Sequence, residues 1–329
     1  MNLTTRGWLN GFIGMAIFSG SLPATRVAVL GLDPLFVTAA RAGLAGVLAT
    51  FMLVLAARRD GAQAVHGQAG AGDRASPVSV RRTRQPTGLA TQARPAQGDW
   101  VRLVLVALGV VLGFPLFTAL ALQSITSAHS LVFIGLLPMS TALFAAWLAQ
   151  ERPSRSFWTF AVLGALAVVG FAFSQDGSGV LWADGLMVLA IVSCGYGYAE
   201  GGRLARRLGA WQVICWVLVV SLPVSLPLAF IWAPRNLAAV PPSAWAGGLY
   251  VAIFSMLVGF IFWYRGLAQG GIAAVGQLQL LQPFLGLLLA AWLLGEPVTP
   301  AMLWVTAFVV ACVAGARYTA AMPAPSRAS

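Results

Sequence analysis

The sequence predicts an all-α integral membrane protein, with ten transmembrane helices arranged as two inverted five-helix repeats. Three observations predict it. Hydrophobic residues make up 59% of the 329 residues and charged residues only 9%, so the apolar surface needs lipid as its solvent. Ten stretches are apolar enough, at about 20 residues each, to cross a bilayer. One passage is written twice: "ALFAAWLAQE" (Ala142 to Glu151) returns as "LLLAAWLLGE" (Leu287 to Glu296).

The expected spans are about 8–29, 34–57, 101–122, 128–149, 156–173, 181–201, 211–232, 245–266, 272–294 and 300–321. Backbone polar groups in lipid must be satisfied within each span, so each is a helix. A membrane barrel would alternate polar and apolar residues, and no such alternation is present. The segment 58–99 is rich in Gly, Ala, Gln and Arg with little to bury. It reads as a disordered, solvated cytoplasmic loop inside the first repeat. Residues 322–329 read as a cytoplasmic tail.

All 20 basic residues are arginine. With the N-terminus inside, 17 of the 20 fall in inside segments and only Arg235 in an outside loop; Arg26 and Arg41 lie toward the outer ends of helices 1 and 2. This asymmetry predicts a multi-pass protein of a bacterial-type inner membrane with both termini cytoplasmic. The formal charge of +11 is therefore a topology signal, and no nucleic-acid partner is expected. Cys194, Cys215 and Cys312 all lie in apolar runs, away from any metal-ligand spacing, and read as packing residues. No metal or cofactor is expected.

A shift of 145 residues superimposes Pro138, Trp147 and Glu151 on Pro283, Trp292 and Glu296, with seven identities in fourteen positions. A shift of 174 superimposes "WLNGFIGMAIFS" (from Trp8) on "WADGLMVLAIVS" (from Trp182). Helix 1 thus matches helix 6, and helix 4 matches helix 9. The shifts differ because the long 58–99 loop has no counterpart. The first repeat is expected over 1–173 and the second over 174–321. The N-terminal apolar run behaves as a bundle helix rather than a removable signal. Five helices per repeat invert the second copy, an architecture used by secondary transporters with a site near the midplane.

At this level the chain resembles the EamA family of the drug/metabolite transporter superfamily. "DPLFVTAARAGLAG" (Asp33 to Gly46) looks like that family's second helix. "ALALQSITSAHSLVFIGLLPMSTALFAAWLAQERPS" looks like its third and fourth, and "GLAQGGIAAVGQLQLLQPFLGLLLAAWLLGEPVT" is the second copy. The long loop departs from the family, and Gln150-Glu151 stands where Gly-Glu is usual. The resemblance implies alternating access to a central cavity and export or exchange of small metabolites, often amino acids. The implied partners are a small-molecule substrate and the bilayer, with the protein a monomer or homodimer.

Polar groups are costly in lipid and so mark candidate sites. Arg41 has two readings: it binds a carboxylate or holds the end of helix 1, or it snorkels outward toward Asp33. Arg26 reads as snorkelling. Ser19 and Ser21 flank Pro23 and can line a cavity or rebond the freed backbone. Pro138 and Pro283 are expected to kink helices 4 and 9 at equivalent places and shape a gate. His129 and Ser130 open helix 4, with His129 a proton relay or an interface residue. Gln279 and Gln282 lie within about 60° of each other on helix 9, while Gln277 points elsewhere. Tyr196, Tyr198 and Glu200 on helix 6 can contact substrate, with an Arg203 ion pair the simpler account of Glu200. Trp263 and Tyr264 read as an interfacial belt.

Every acidic residue except Glu200 falls in a loop or at a helix end, so no midplane carboxylate for ion coupling is visible. This favours facilitated diffusion or exchange. An integral membrane enzyme would need clustered catalytic side chains, and HExxH, GxSxG and nucleotide-loop patterns are all missing. A flippase for a lipid-linked substrate would use a similar bundle. It would be recognised by a lateral opening.

Overall fold

The computed structural model describes residues 3–69, 95–148, 155–174, 178–270 and 275–321. The helices follow the apolar runs in order. Span α1 comprises Leu3–Ser19 and Ser21–Val29, and α2 is Pro34–Ala69. Span α3 runs through Asp99–Val106, Ala107–Gly113 and Phe114–Ser124. Span α4 comprises Ser127–Ile134 and Leu137–Leu148. Single helices form α5 (Arg155–Phe173), α6 (Ser178–Leu208) and α7 (Ala210–Ile231). Span α8 runs through Pro242–Leu249, Tyr250–Gly259 and Phe260–Gly270. Span α9 comprises Gly276–Leu281 and Gln282–Leu294, and α10 is Pro300–Ala321.

Seven of these spans are long and apolar enough to cross a membrane, and Trp158–Phe173, Leu278–Leu294 and Pro300–Gly315 are shorter apolar helices. Large apolar side chains such as Phe51, Leu166, Phe230 and Trp304 point outward, as lipid contact requires. Trp147 and Trp292, the repeated tryptophans, are both exposed. The expected loop begins too early. Helix α2 continues past Arg58 to Ala69, because Ala, Arg and Gln are good helix formers whether or not they are buried. Residues 70–94 of that loop, the tail and Glu151 lie outside the described residues.

The packing has the pattern an inverted repeat demands. If α1 to α5 correspond to α6 to α10, the α1–α8 contact must have a counterpart in α6–α3, while α2–α7 and α5–α10 must join each helix to its own mate. These pairs, with the second half of α4 against α6, are the most extensive contacts in the bundle. The α1–α8 crossing is close because glycines face each other: a Cβ on Gly266 would lie 2.6 Å from the backbone nitrogen of Gly11 and 2.7 Å from its Cα. Small residues let membrane helices approach this way.

Irregularities are duplicated too. The α4 break at Gly135 and Leu136 stands just before Pro138, and the α9 change from a 3₁₀ to an α segment stands just before Pro283. Both prolines occupy the second position of the following helix, where a missing N–H is harmless. Wide π-helical turns occupy Ala107–Gly113 in α3 and Tyr250–Gly259 in α8. The 145-residue shift carries the first onto positions 252–258, inside the second. In α1 the break falls at Gly20, with Pro23 in the first turn of the next segment. The Tyr250 hydroxyl donates to the Ile17 carbonyl there at 2.8 Å.

Candidate functional site

The breaks in α1 and α4, the α3 and α8 π turns and the α9 transition converge on one central cavity. Phe18, Ser21, Leu22, Arg41, Val110, Phe114, Leu137, Cys194, Tyr198, Ser255, Phe260 and Gln282 line it. Its free volume is about 20 Å³, room for about one water molecule.

The chemistry of the cavity centres on Arg41, which is only 4% exposed. One terminal nitrogen donates to Ser255 Oγ at 3.3 Å. Ser21 Oγ donates to the same Ser255 oxygen at 2.8 Å. Among the described residues Arg41 Nε has no hydrogen-bond partner, and neither does Gln282 Oε1. The ion pairs of the described residues, at 4.0 Å or closer, all involve other groups. A buried guanidinium with spare donors and no acidic partner among the described residues has the chemistry to accept an anion. The Asp33 reading is overturned: Asp33 is exposed and accepts from Leu35 N at 2.8 Å at the start of α2. Arg26 reaches inward rather than snorkelling, and donates to the Leu122 carbonyl near the end of α3, where a cation suits the helix dipole.

Other expected residues separate from this cluster. Ser19 turns back on its own helix and donates to the Met15 carbonyl at 3.0 Å. Ser130 does the same to the Thr126 carbonyl at 3.1 Å. Tyr196 packs edge-on against Phe144 at 5.6 Å, outside the cavity; Tyr198 takes its place there. Two residues on a helix turn about 200°, so these tyrosines cannot share a face. Gln279 is buried with both amide atoms unpartnered. The 3₁₀ geometry of Gly276–Leu281 brings Gln279 and Gln282 closer to one line than an α-helix would. The Gln277 side chain lies outside the described residues.

Trp263 and Tyr264 are not a belt: they are 1% and 0% exposed. Trp263 packs against Phe18 and Tyr198, and Tyr264 donates to the Gly197 carbonyl at 3.3 Å. Their position near a helix end misled, because α8 crosses α1 closely enough to bury that end.

His129 also lies away from the cavity. Its Nε2 is 2.7 Å from Asp184 Oδ1, with Phe133 and Phe171 packed on the ring. Asp184 reads from the sequence as lying in a loop or at a helix end, but it is buried, because α6 begins at Ser178, a turn and a half earlier. Glu200 pairs with Arg203 at 3.2 Å and Arg102 at 3.6 Å, and Arg207 pairs with Asp99. These ion pairs tie the start of α3 to the end of α6 on the N-terminal face. On the opposite face Glu296 accepts from Ser127 N at 3.1 Å, Ser127 Oγ at 2.6 Å and Ala128 N at 2.8 Å. The repeated glutamate is thus a helix cap supplied by the other repeat.

Against known proteins, the EamA-like transporter family model matches residues 81–173 and 181–318. The chain belongs to the EamA-like transporter family. It is 52% identical over 317 residues to the "Uncharacterized transporter YdeK" of Bacillus subtilis (strain 168), covering 96% of this chain and 99% of that one. It is 25% identical over 222 residues to "Uncharacterized transporter YetK" of the same organism, covering 66% of each chain. A solved crystal structure shares the fold with a TM-score of 0.62 at 19% identity, covering 97% of this chain and 100% of the other. This EamA chain is accordingly a multi-pass membrane transporter and not an enzyme. The two family matches and the packing agree on a doubled, inverted architecture.

Proposed function

We propose that this EamA protein exports or exchanges small carboxylate-bearing metabolites, such as amino acids, by alternating access. The observation that carries this reading is Arg41, buried in the central cavity beside Ser21, Ser255 and Gln282 with no acidic partner among the described residues. Placing an unpaired charge in a membrane costs about 2.5–3.5 kcal/mol on insertion scales. A substrate carboxylate offsets that cost and makes bidentate contact with the guanidinium. Phe18, Phe114, Tyr198 and Phe260 give the rest of the molecule an apolar surround. The duplicated breaks at Pro138 and Pro283 act as hinges that open the cavity to alternate faces. The arginine distribution supports cytoplasmic termini, and the 145- and 174-residue shifts support repeats over 1–173 and 174–321.

A lipid-linked substrate is less well supported. An apolar groove of about 370 Å³ lies between α5 and α10, lined by residues such as Ala167, Phe171, Trp304 and Phe308. None of its lining residues is charged, and it does not share a residue with the Arg41 cavity.

Uptake of a panel of amino acids and other metabolites into proteoliposomes tests the proposal. Carboxylates should move, and Arg41→Ala should slow their movement by about 10- to 100-fold. Failure of the whole panel, or full activity of Arg41→Ala, contradicts it. Reporter fusions at each terminus test the orientation, and a periplasmic terminus would refute it.

A further inference from the structure

The two repeats treat one position differently. The 174-residue shift carries Asn10 onto Asp184 within the alignment of Trp8 with Trp182. Near the N-terminal face, Asn10 Nδ2 donates to Gln269 Oε1 at 2.9 Å, an exposed amide pair joining α1 to the end of α8. Near the opposite face, Asp184 meets His129 of α4, 5% exposed, at 2.7 Å. Asp184 Oδ2 is buried without a hydrogen-bond partner. At this position one end of the carrier therefore carries a neutral amide pair, and the other a histidine–carboxylate pair. The partners are not strict mates, since the 145-residue shift carries His129 onto position 274 rather than Gln269. The acid and amide positions are.

We propose that His129 and Asp184 form a proton-binding latch on the gate opposite the N-terminus, so that the carrier responds to pH on that face alone. The pair joins the first half of α4 to α6, and this half ends at the Gly135 break, two residues before cavity-lining Leu137. With one proton shared between them, imidazolium and carboxylate are neutral overall and joined by a charge-assisted hydrogen bond. That state fits the enclosure by Phe133 and Phe171 and holds the gate shut. Loss of the proton leaves a net buried negative charge with Oδ2 unsatisfied, which hydration relieves by letting the gate open. The proton leaves to solvent on that face, and the bond broken is the imidazolium N–H. The helices packed around His129 and the first half of α4 are α1, α3, α5, α6, α9 and α10. The charged groups they bring to this end, among the described residues, are Arg26, held by the Leu122 carbonyl, and Glu296, held by Ser127 and Ala128. Both are engaged elsewhere, so Asp184 is the group that answers His129.

The transport part of this inference rests on the carrier reading above, and the test separates the two. Histidine nitrogen NMR on full-length His66→Ala protein in nanodiscs sees one imidazole, because the chain has two histidines. The His129 signals should respond reversibly to pH, and Asp184→Asn should alter that response by removing the anion. Gate opening is read without substrate by labelling Ser130→Cys with a membrane-impermeant maleimide. Relative to the same cysteine in His129→Gln/Asp184→Asn, labelling should rise about tenfold from pH 6 to pH 8. In proteoliposomes, acid on the face opposite the N-terminus should slow exchange, and acid on the N-terminal face should not. The double variant, with an amide pair at both ends, should transport without that dependence. A His129 that does not respond to pH, a response unaltered by Asp184→Asn, or an equal pH response on both faces would overturn the latch. Absence of transport from every substrate would instead sink the carrier reading, and the titration and labelling would still decide the latch.

Discussion

The two halves of the cavity wall were cut from one pattern and then diverged. At the 145-residue shift Val110 of α3 becomes Ser255 of α8, and Leu137 of α4 becomes Gln282 of α9. The backbone is alike, with π turns in α3 and α8 and a proline at the start of each second helical segment in α4 and α9. The side chains are not. At these two positions the second repeat brings polar side chains to the Arg41 cavity, while the first brings aliphatic surface. Gating needs the repeated backbone, because each repeat must open one face. Recognition needs an asymmetric wall, because a substrate has a charged end and an apolar end. Fold symmetry and site asymmetry are therefore separate requirements met by different atoms.

The sharpest way to break this comparison is to remove the polar centre. Arg41→Ala should reduce transport of a carboxylate substrate by about 10- to 100-fold, the worth of a hydrogen bond to a charged group. Initial uptake rates measure it. Next come the glycines that let the repeats approach. Gly266→Ala drives a methyl into the Gly11 backbone and should cost about 1–3 kcal/mol, seen as earlier thermal unfolding in detergent. Gly185, the mate of Gly11, has nothing within 4 Å of such a methyl, so Gly185→Ala should unfold like the wild type. A smaller effect should follow from making the walls alike. Gln282→Leu copies Leu137 and should weaken substrate binding about fivefold, one neutral hydrogen bond, as a rise in KM. The smallest is the cap: Glu296→Gln weakens the anchor at the start of α4 by about 1 kcal/mol, a modest fall in thermal stability without change in substrate preference.

The spans were readable because lipid demands about twenty apolar residues in a row, and the repeat was readable because Pro, Trp and Glu recur together. Arg41 was readable because a charge amid apolar residues is conspicuous. What the sequence concealed depended on neighbours. Asp184 looked like a helix end because hydropathy cannot tell where α6 begins, and Trp263 looked interfacial because helix crossing, not position, buries it. The π turns leave no mark in the apolar pattern, yet they set Ser255 beside Arg41. Which of Tyr196 and Tyr198 reaches the cavity is a matter of helical phase, fixed only once α6 is packed against α3.

The central claim is that Arg41 takes the substrate's negative end, and counterflow with matched analogues tests it most directly. Proteoliposomes loaded with an unlabelled substrate would be offered a labelled amino acid, its amide and its decarboxylated amine. The account predicts rapid exchange of the carboxylate, little exchange of the other two, and loss of the preference in Arg41→Ala. Equal exchange of all three by the wild type, or an unchanged preference in Arg41→Ala, would contradict it.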